Sequence, residues 1–145
     1  MSGQPPDARA QQAAAQAQAD ALLEGDTATR SLGITVSDVA PGRATASMTV
    51  TPQMLNGHGT CHGGFLFLLA DVAFAFACNT RGAPTVAAGA DVAFLAPVQV
   101  GEQLQARAVE RALQGRSGLY DVTVTRGDDV VLEFRGRSRS LPARP

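Results

Sequence analysis

Hydrophobic and polar positions along the chain fall into blocks of different period. Residues 7–24 are mostly Ala and Gln, both good helix formers, and Leu22 and Leu23 are their only large apolar side chains. This predicts a helix that docks by its C-terminal end or frays, stopped at Gly25-Asp26, with a short connection to Leu32. Residues 34–39 are β-branched and polar by turns, and Pro41-Gly42 marks a turn. Along residues 43–50, Ala44, Ala46, Met48 and Val50 share one face and Arg43, Thr45, Ser47 and Thr49 the other, which is a half-buried strand. Residues 56–64 hold four glycines and read as a loop. A very apolar helix follows over 63–78, then strands over 85–95, 103–113, 119–125 and 130–140. Gly115 and Gly127-Asp128-Asp129 supply turns between the last three, and such short turns imply antiparallel neighbours.

The expected class is α+β: a lead helix, two strands, one apolar helix and a four-strand meander, as a curved antiparallel sheet wrapped around a long central helix. No repeat or linker divides the chain, so one domain over residues 1–145 is expected. Its N-terminal extension, about residues 1–30, is expected to be helical or disordered, with disorder over residues 1–6.

The helix over 63–78 resolves into stripes at helical spacing. Phe65, Leu68, Leu69, Val72 and Phe76 are bulky. Leu66, Ala70, Ala73 and Ala77 are smaller and permit close packing. Phe67, Asp71, Phe74 and Cys78 form the third. No face is polar, so burial on all sides is expected, and Asp71 is the only ionisable carboxylate there. An acid so placed is costly without compensation. It is either a structural carboxylate, capped or paired with an Arg, or a base or nucleophile whose pKa is raised by desolvation among phenylalanines.

The preceding loop runs Asn56-Gly57-His58-Gly59-Thr60-Cys61-His62-Gly63-Gly64. A helix N-terminus carries free amides and the positive dipole end. Gly63 or Gly64 is therefore a candidate oxyanion donor to a carbonyl, the alternative being a tight turn that needs glycine. His58, Cys61 and His62 offer three close metal ligands but no fourth, and lack the helical His-x-x-x-His geometry with its Glu, so no metal is expected. A Cys61–His62 nucleophile pair is poor because adjacent side chains point apart. Cys78 reads as core packing.

Composition narrows the classes. The chain has 145 residues, 45% of them apolar, and a net charge of −1, unlike the basic excess of nucleic-acid binders. Two cysteines make no disulfide framework, and no signal-peptide pattern opens the chain, so a reducing, cytoplasmic setting is expected. The longest apolar run, residues 65–78, contains an acid and is too short to span a bilayer. All twelve basic residues are Arg. Arg135, Arg137 and Arg139 alternate on the last strand, and Arg116-Ser117 sits at a hairpin tip. Both are candidates for phosphate contacts, or solvated charges that guard an edge.

The stretch from Leu55 to Asn79 resembles the signature of the hotdog-fold acyl-CoA thioesterases, closely their phenylacetate-degradation branch. Weaker likeness lies in Ser31-Leu32-Gly33-Ile34, in Phe94-Leu95 before Pro97 and in Gly118-Leu119-Tyr120-Asp121-Val122. The resemblance implies a helix within a sheet, tetramers of paired dimers, an acyl-CoA substrate and no cofactor. By position Asp71 matches the catalytic acid and Gly63 the backbone donor to the thioester carbonyl. Asn56 matches the polar residue that places water or substrate, and His62 lies beside that site. Gly64, Phe67 and Phe74 are read as substrate-binding, the two rings as an acyl pocket. Arg116, Ser117 and Arg137 are read as coenzyme A contacts, Arg116-Ser117 because similar thioesterases bind nucleotide phosphates at that hairpin. Ala93 and Ala96 stand where relatives often carry polar or basic groups. A non-catalytic acyl-CoA-binding module is the alternative; a hydratase lacks its motifs here.

Geometry adds an expectation about assembly. Gly63 and Asp71 are eight residues apart on one helix, about 12 Å along its axis with about 80° of rotation. Donor and carboxylate must both lie within about 3 Å of one reacting carbonyl. One chain does not supply both, so a homo-oligomer is expected, a dimer or a tetramer of two dimers, with sites at the dimer interface.

Overall fold

A computed structural model describes residues 7–142; the disorder expected over residues 1–6 lies outside them. Helix α1 spans Ala8–Gly25, and Asp7 caps it by accepting from the Ala10 amide at 2.7 Å. Asp26 ends α1 and caps a five-residue helix, α2, Thr27–Ser31, by accepting from the Thr29 amide and hydroxyl. The short connection expected there is thus helical. Nor does α1 dock by its C-terminal end alone. Its small residues Ala15 and Ala19 are buried along its length, Gln12 Nε2 donates to the Val39 carbonyl at 2.6 Å, and Gln18 Oε1 accepts from the Gly82 amide.

The six strands are β1 (Thr35–Ala40), β2 (Arg43–Thr49), β3 (Thr85–Phe94), β4 (Gln103–Gln114), β5 (Ser117–Arg126) and β6 (Asp129–Ser140). They form one antiparallel sheet in the order β1-β2-β4-β5-β6-β3. The inner face read in β2 holds, as Ala44, Ala46, Met48 and Val50 all enter the core, but Thr45 of the opposite face is buried as well. The four-strand meander does not. Only β4, β5 and β6 follow one another; β3 lies at the far edge beside β6. The cause is the long helix α3, Gly63–Cys78, inserted between β2 and β3. The chain leaves the sheet at β2, runs beneath it as α3, and rejoins at the opposite edge, and β4–β6 then fill the gap. This is the hotdog arrangement, with α3 touching all six strands.

An aromatic cluster joins helix to sheet. Phe74 packs edge-on to Tyr120, ring centroids 5.5 Å apart, and beside Phe134 at 5.7 Å; Phe67 meets Phe134 at 5.4 Å. Such pairs add about 0.5–1.5 kcal/mol each beyond the area they bury. Gly136 of β6 makes room for them, since a Cβ there would stand 2.8 Å from the Phe74 ring. Gly136→Ala overpacks a ring already held between two others. It is expected to cost about 1–3 kcal/mol, read as a lower urea midpoint; an unchanged midpoint would show that the ring has room to move.

Candidate functional site

The loop before α3 is closed by its own polar groups. Asn56 Oδ1 accepts from the amides of His58 (2.9 Å) and Thr60 (3.2 Å), and Asn56 Nδ2 donates to Thr60 Oγ1. Gly59 adopts φ +79°, a conformation that favours glycine. The Cys61 amide donates to the Val98 carbonyl and the His62 amide to that of Met54, both at 2.7 Å, so the loop enters α3 at a fixed angle.

The first turn of a helix has four amides without intrahelical partners. Here those of Gly64 and Phe65 are taken by His62, that of His62 itself by the Met54 carbonyl, and the Leu66 amide makes the first regular helical bond. The His62 carbonyl accepts from Phe65 and Leu66, and its ring Nδ1 accepts from Gly64 at 3.2 Å. His62 is the N-cap, a role the sequence reading did not give it. Among the described residues the Gly63 amide donates to nothing. It borders an open pocket of about 360 Å³ lined also by Asn56, Cys61, Leu66, Phe94 and Leu95. The structure therefore separates the two candidate donors: Gly64 is engaged and Gly63 is available. It also brings Asn56 and Gly63 to one pocket.

Asp71 lies elsewhere on the same helix. Burial on all sides does not hold within one chain. Leu66, Leu69, Ala70, Val72, Ala73, Phe74, Phe76, Ala77 and Cys78 are buried, but Gly64, Phe67, Leu68, Asp71 and Ala75 form a stripe at least partly open to solvent. The sheet covers only the other sides. No ion pair among the described residues involves Asp71. Partial burial, and then the charge of Asp26, raise its carboxyl above the usual 3.8.

The remaining candidates separate as follows. Phe67 is half-buried beside Asp71. Phe74 is only 1% exposed and belongs to the aromatic core, not to a surface an acyl group can reach. Arg137 is paired with Asp91 at 2.7 Å, and Arg135 grips Asp121 through two hydrogen bonds. Arg116, Ser117 and Arg139 do come together. The hairpin turns at Gly115 (φ +59°), the Ser140 amide donates to the Arg116 carbonyl, and Arg139 Nη1 donates to Ser117 Oγ at 3.4 Å. No carboxylate among the described residues pairs with Arg116 or Arg139. Cys61 is buried while His62 is exposed, and among the described residues no three His, Cys, Asp or Glu side chains converge as metal ligands. No helix there is long and apolar enough to cross a membrane.

The raised carboxyl has a consequence for stability. A native-state pKa above the unfolded value means that the folded chain holds the proton more tightly. Stability then falls as pH rises from 3.8 through the raised value, and the deficit persists at neutral pH. Asp71→Asn removes it without changing volume. The variant is expected to melt at or above the wild-type temperature at neutral pH, with the gap narrowing in acid. A variant that melts lower at neutral pH would mark Asp71 as a structural carboxylate.

The surroundings match known proteins. Residues 58–133 match the family model described as the Thioesterase superfamily. The chain is 44% identical over 124 residues to the acyl-coenzyme A thioesterase PaaI of Escherichia coli, spanning 85% of this chain and 89% of that one. The solved structure of E. coli PaaI, a protein of the phenylacetic acid degradation operon, superposes with a TM-score of 0.88 at 41% identity, covering 90% of this chain and 96% of that one. A phenylacetic acid degradation protein PaaI of Thermus thermophilus, in mutant form, gives 0.78 at 41% identity, covering 80% and 100%. With a family model over half its length and a relative matched nearly end to end, the chain belongs to the thioesterase superfamily.

Proposed function

We propose that the protein hydrolyses acyl-CoA thioesters to the free acid and coenzyme A, with aryl-acetyl groups such as phenylacetyl or its hydroxylated forms as the preferred acyl moiety. The observation that carries this reading is the pairing, on one rigid helix, of an unengaged amide at Gly63 and an uncompensated carboxylate at Asp71. Gly63 N–H donates to the thioester carbonyl as negative charge develops on its oxygen. Asp71 either attacks the carbonyl carbon or takes a proton from the water that does. In the first route the C–S bond breaks as a mixed anhydride forms on Asp71, and water then cleaves that anhydride. In the second, water adds to the carbonyl directly as the C–S bond breaks. Both end in the free acid, the regenerated Asp71 carboxylate and sulfur leaving as the thiol of coenzyme A. The names of the relatives from E. coli and T. thermophilus support both the acyl-CoA substrate and the phenylacetyl preference.

The two groups act across two chains. The half-open stripe around Asp71 is the face a second copy would cover. A two-fold axis that sets a second α3 antiparallel brings each Asp71 toward the partner's donor amide, twice per dimer. The assembly is a dimer or a tetramer of two such dimers, in a reducing cytoplasm that suits the free thiols of Cys61 and Cys78. Arg116, Ser117 and Arg139 are the group best placed to meet phosphate; Arg137 would first have to leave Asp91.

A thiol-release assay over phenylacetyl-, hydroxyphenylacetyl-, benzoyl- and aliphatic-CoA tests the substrate. Phenylacetyl-CoA or its hydroxylated form is expected to give the highest kcat/KM, and a strong preference for long-chain fatty acyl-CoA would count against the reading.

The donor has its own test. Gly63→Pro deletes the amide at the first helical position, where proline is well tolerated. His62, at φ −61° and ψ 135°, already has the extended backbone a following proline requires. Loss of one oxyanion donor lowers kcat roughly a hundred- to a thousandfold. Gly63→Ala keeps the donor and only presses Phe94, whose ring lies 3.0 Å from the added Cβ, so its loss is expected to be smaller. Equal losses in the two variants would argue against the amide. Mixing Asp71→Asn and Gly63→Pro subunits is expected to restore up to one intact site per heterodimer. Demonstrated subunit exchange without returning activity would rule out a shared site.

A further inference from the structure

Phe94 ends β3, and its neighbours do not account for its exposure. Strand alternation puts Ala90, Val92 and Phe94 on one face; Ala90 and Val92 pack against the core, opposite Gly136 and Phe134. Phe94 pairs with Leu132, which is fully buried, yet Phe94 itself is 53% exposed and the following Leu95 56%. The helix-facing side of the sheet thus ends in an aromatic ring that the chain leaves partly uncovered. Leaving a phenyl ring in water forgoes a large part of the stabilisation its burial would give.

The ring is not placed at random. It lies against Gly63: a Cβ built there would come within 3.0 Å of Phe94 Cε1 and 3.3 Å of Cζ. Glycine at 63 therefore does two things. It leaves its amide unshielded, and it admits the phenyl ring to the space beside that amide. The same ring forms a wall of the pocket of about 360 Å³ onto which Gly63 and Asn56 open. That volume lies within the roughly 300–1,000 Å³ typical of small-molecule sites, and so does the make-up of an apolar wall with few polar groups. Phe74 is sealed in the core, so it does not serve as an aromatic wall here.

We infer that Phe94 is a specificity-determining residue: its ring forms the face against which the aromatic part of an aryl-acetyl group packs while the carbonyl accepts from Gly63 N–H. This rests on the proposed thioesterase reading and deepens it. An aryl-acetyl group has one methylene between carbonyl and ring, so a ring beside the carbonyl's donor is positioned to meet the substrate ring edge-on or offset. A straight short acyl chain gains less from the same wall.

The test compares phenylacetyl-CoA with butyryl-CoA for wild type, Phe94→Ala and Phe94→Leu, with assembly followed by sedimentation. Phe94→Leu keeps apolar bulk and removes only the ring, so it stands if Phe94→Ala fails to assemble. The ratio of kcat/KM for phenylacetyl- over butyryl-CoA is expected to fall roughly ten- to hundredfold in Phe94→Ala and by a smaller factor in Phe94→Leu. The change should lie mainly in KM for the aryl substrate, as loss of a contact made equally in ground and transition states requires. An equal loss on both substrates, or an unchanged ratio, would make Phe94 an interface or packing residue and overturn the inference while the thioesterase reading survives. A wild-type protein that releases thiol from none of the esters would overturn both.

Discussion

An α-helix that is apolar on every side must be covered on every side, and one copy of this chain covers only part of α3. The sheet takes the faces of Leu69, Val72, Phe74 and Phe76, and the stripe of Gly64, Phe67, Leu68, Asp71 and Ala75 stays partly open. A contiguous apolar stripe left partly open along a helix is a natural interaction surface. A carboxylate in its middle turns a packing requirement into a chemical one. Whatever covers Phe67 and Leu68 also strips water from Asp71, whose carboxyl is already raised by burial in the single chain. On the proposed reading, cover and activation of Asp71 come from one event, and the same helix presents the Gly63 amide about two turns away.

The loop from Asn56 to His62 serves that donor. In most helices the first amides are satisfied by one capping side chain and by water. Here His62 takes two of them, Gly64 and Phe65, with two acceptors, its own amide goes to the Met54 carbonyl, and the loop below is fixed by Asn56 and by the contact to Val98. The single amide left over is therefore held rigidly. Preorganisation of this kind makes a backbone donor effective, because it needs no reorientation as charge develops.

Much of this was legible in the sequence, and the failures have physical causes. Strand and helix periods gave every element except α2 and the single 3-10 turn at Pro52–Met54, both too short to show a period. The meander failed because pairing order depends on where α3 releases the chain, a tertiary fact that alternation along a strand does not carry. The acid in the apolar helix and the glycines before it pointed to Asp71 and Gly63. They did not tell Gly63 from Gly64, since that depends on where the His62 ring points. Phe67 and Phe74 share a stripe with Asp71 and lie only about 20° apart in projection; what separates them is their position along α3, because Phe74 is sealed between Tyr120 and Phe134 of the sheet. Arg137 looked free because its partner Asp91 lies 46 residues away on a non-sequential strand. Phe94 was invisible as a site residue for the same reason: nothing local links it to Gly63.

The chemistry that remains open to the site is narrowed by what the other reactive groups are doing. Cys61 lines the pocket beside Gly63, but burial pushes its thiol up, away from the thiolate that a nucleophile requires. Cys78 is pushed up to about 12 by burial and is further from reach in the core. The Nδ1 of His62 is occupied as a hydrogen-bond acceptor for Gly64, so using it as a base would uncap the helix that presents the donor. A raised carboxyl behaves differently. Desolvation that keeps a thiol protonated moves a carboxyl upward toward the range in which a general base works best. Burial thus works against both cysteines as nucleophiles and leaves Asp71 as the group that the proposed reaction calls on.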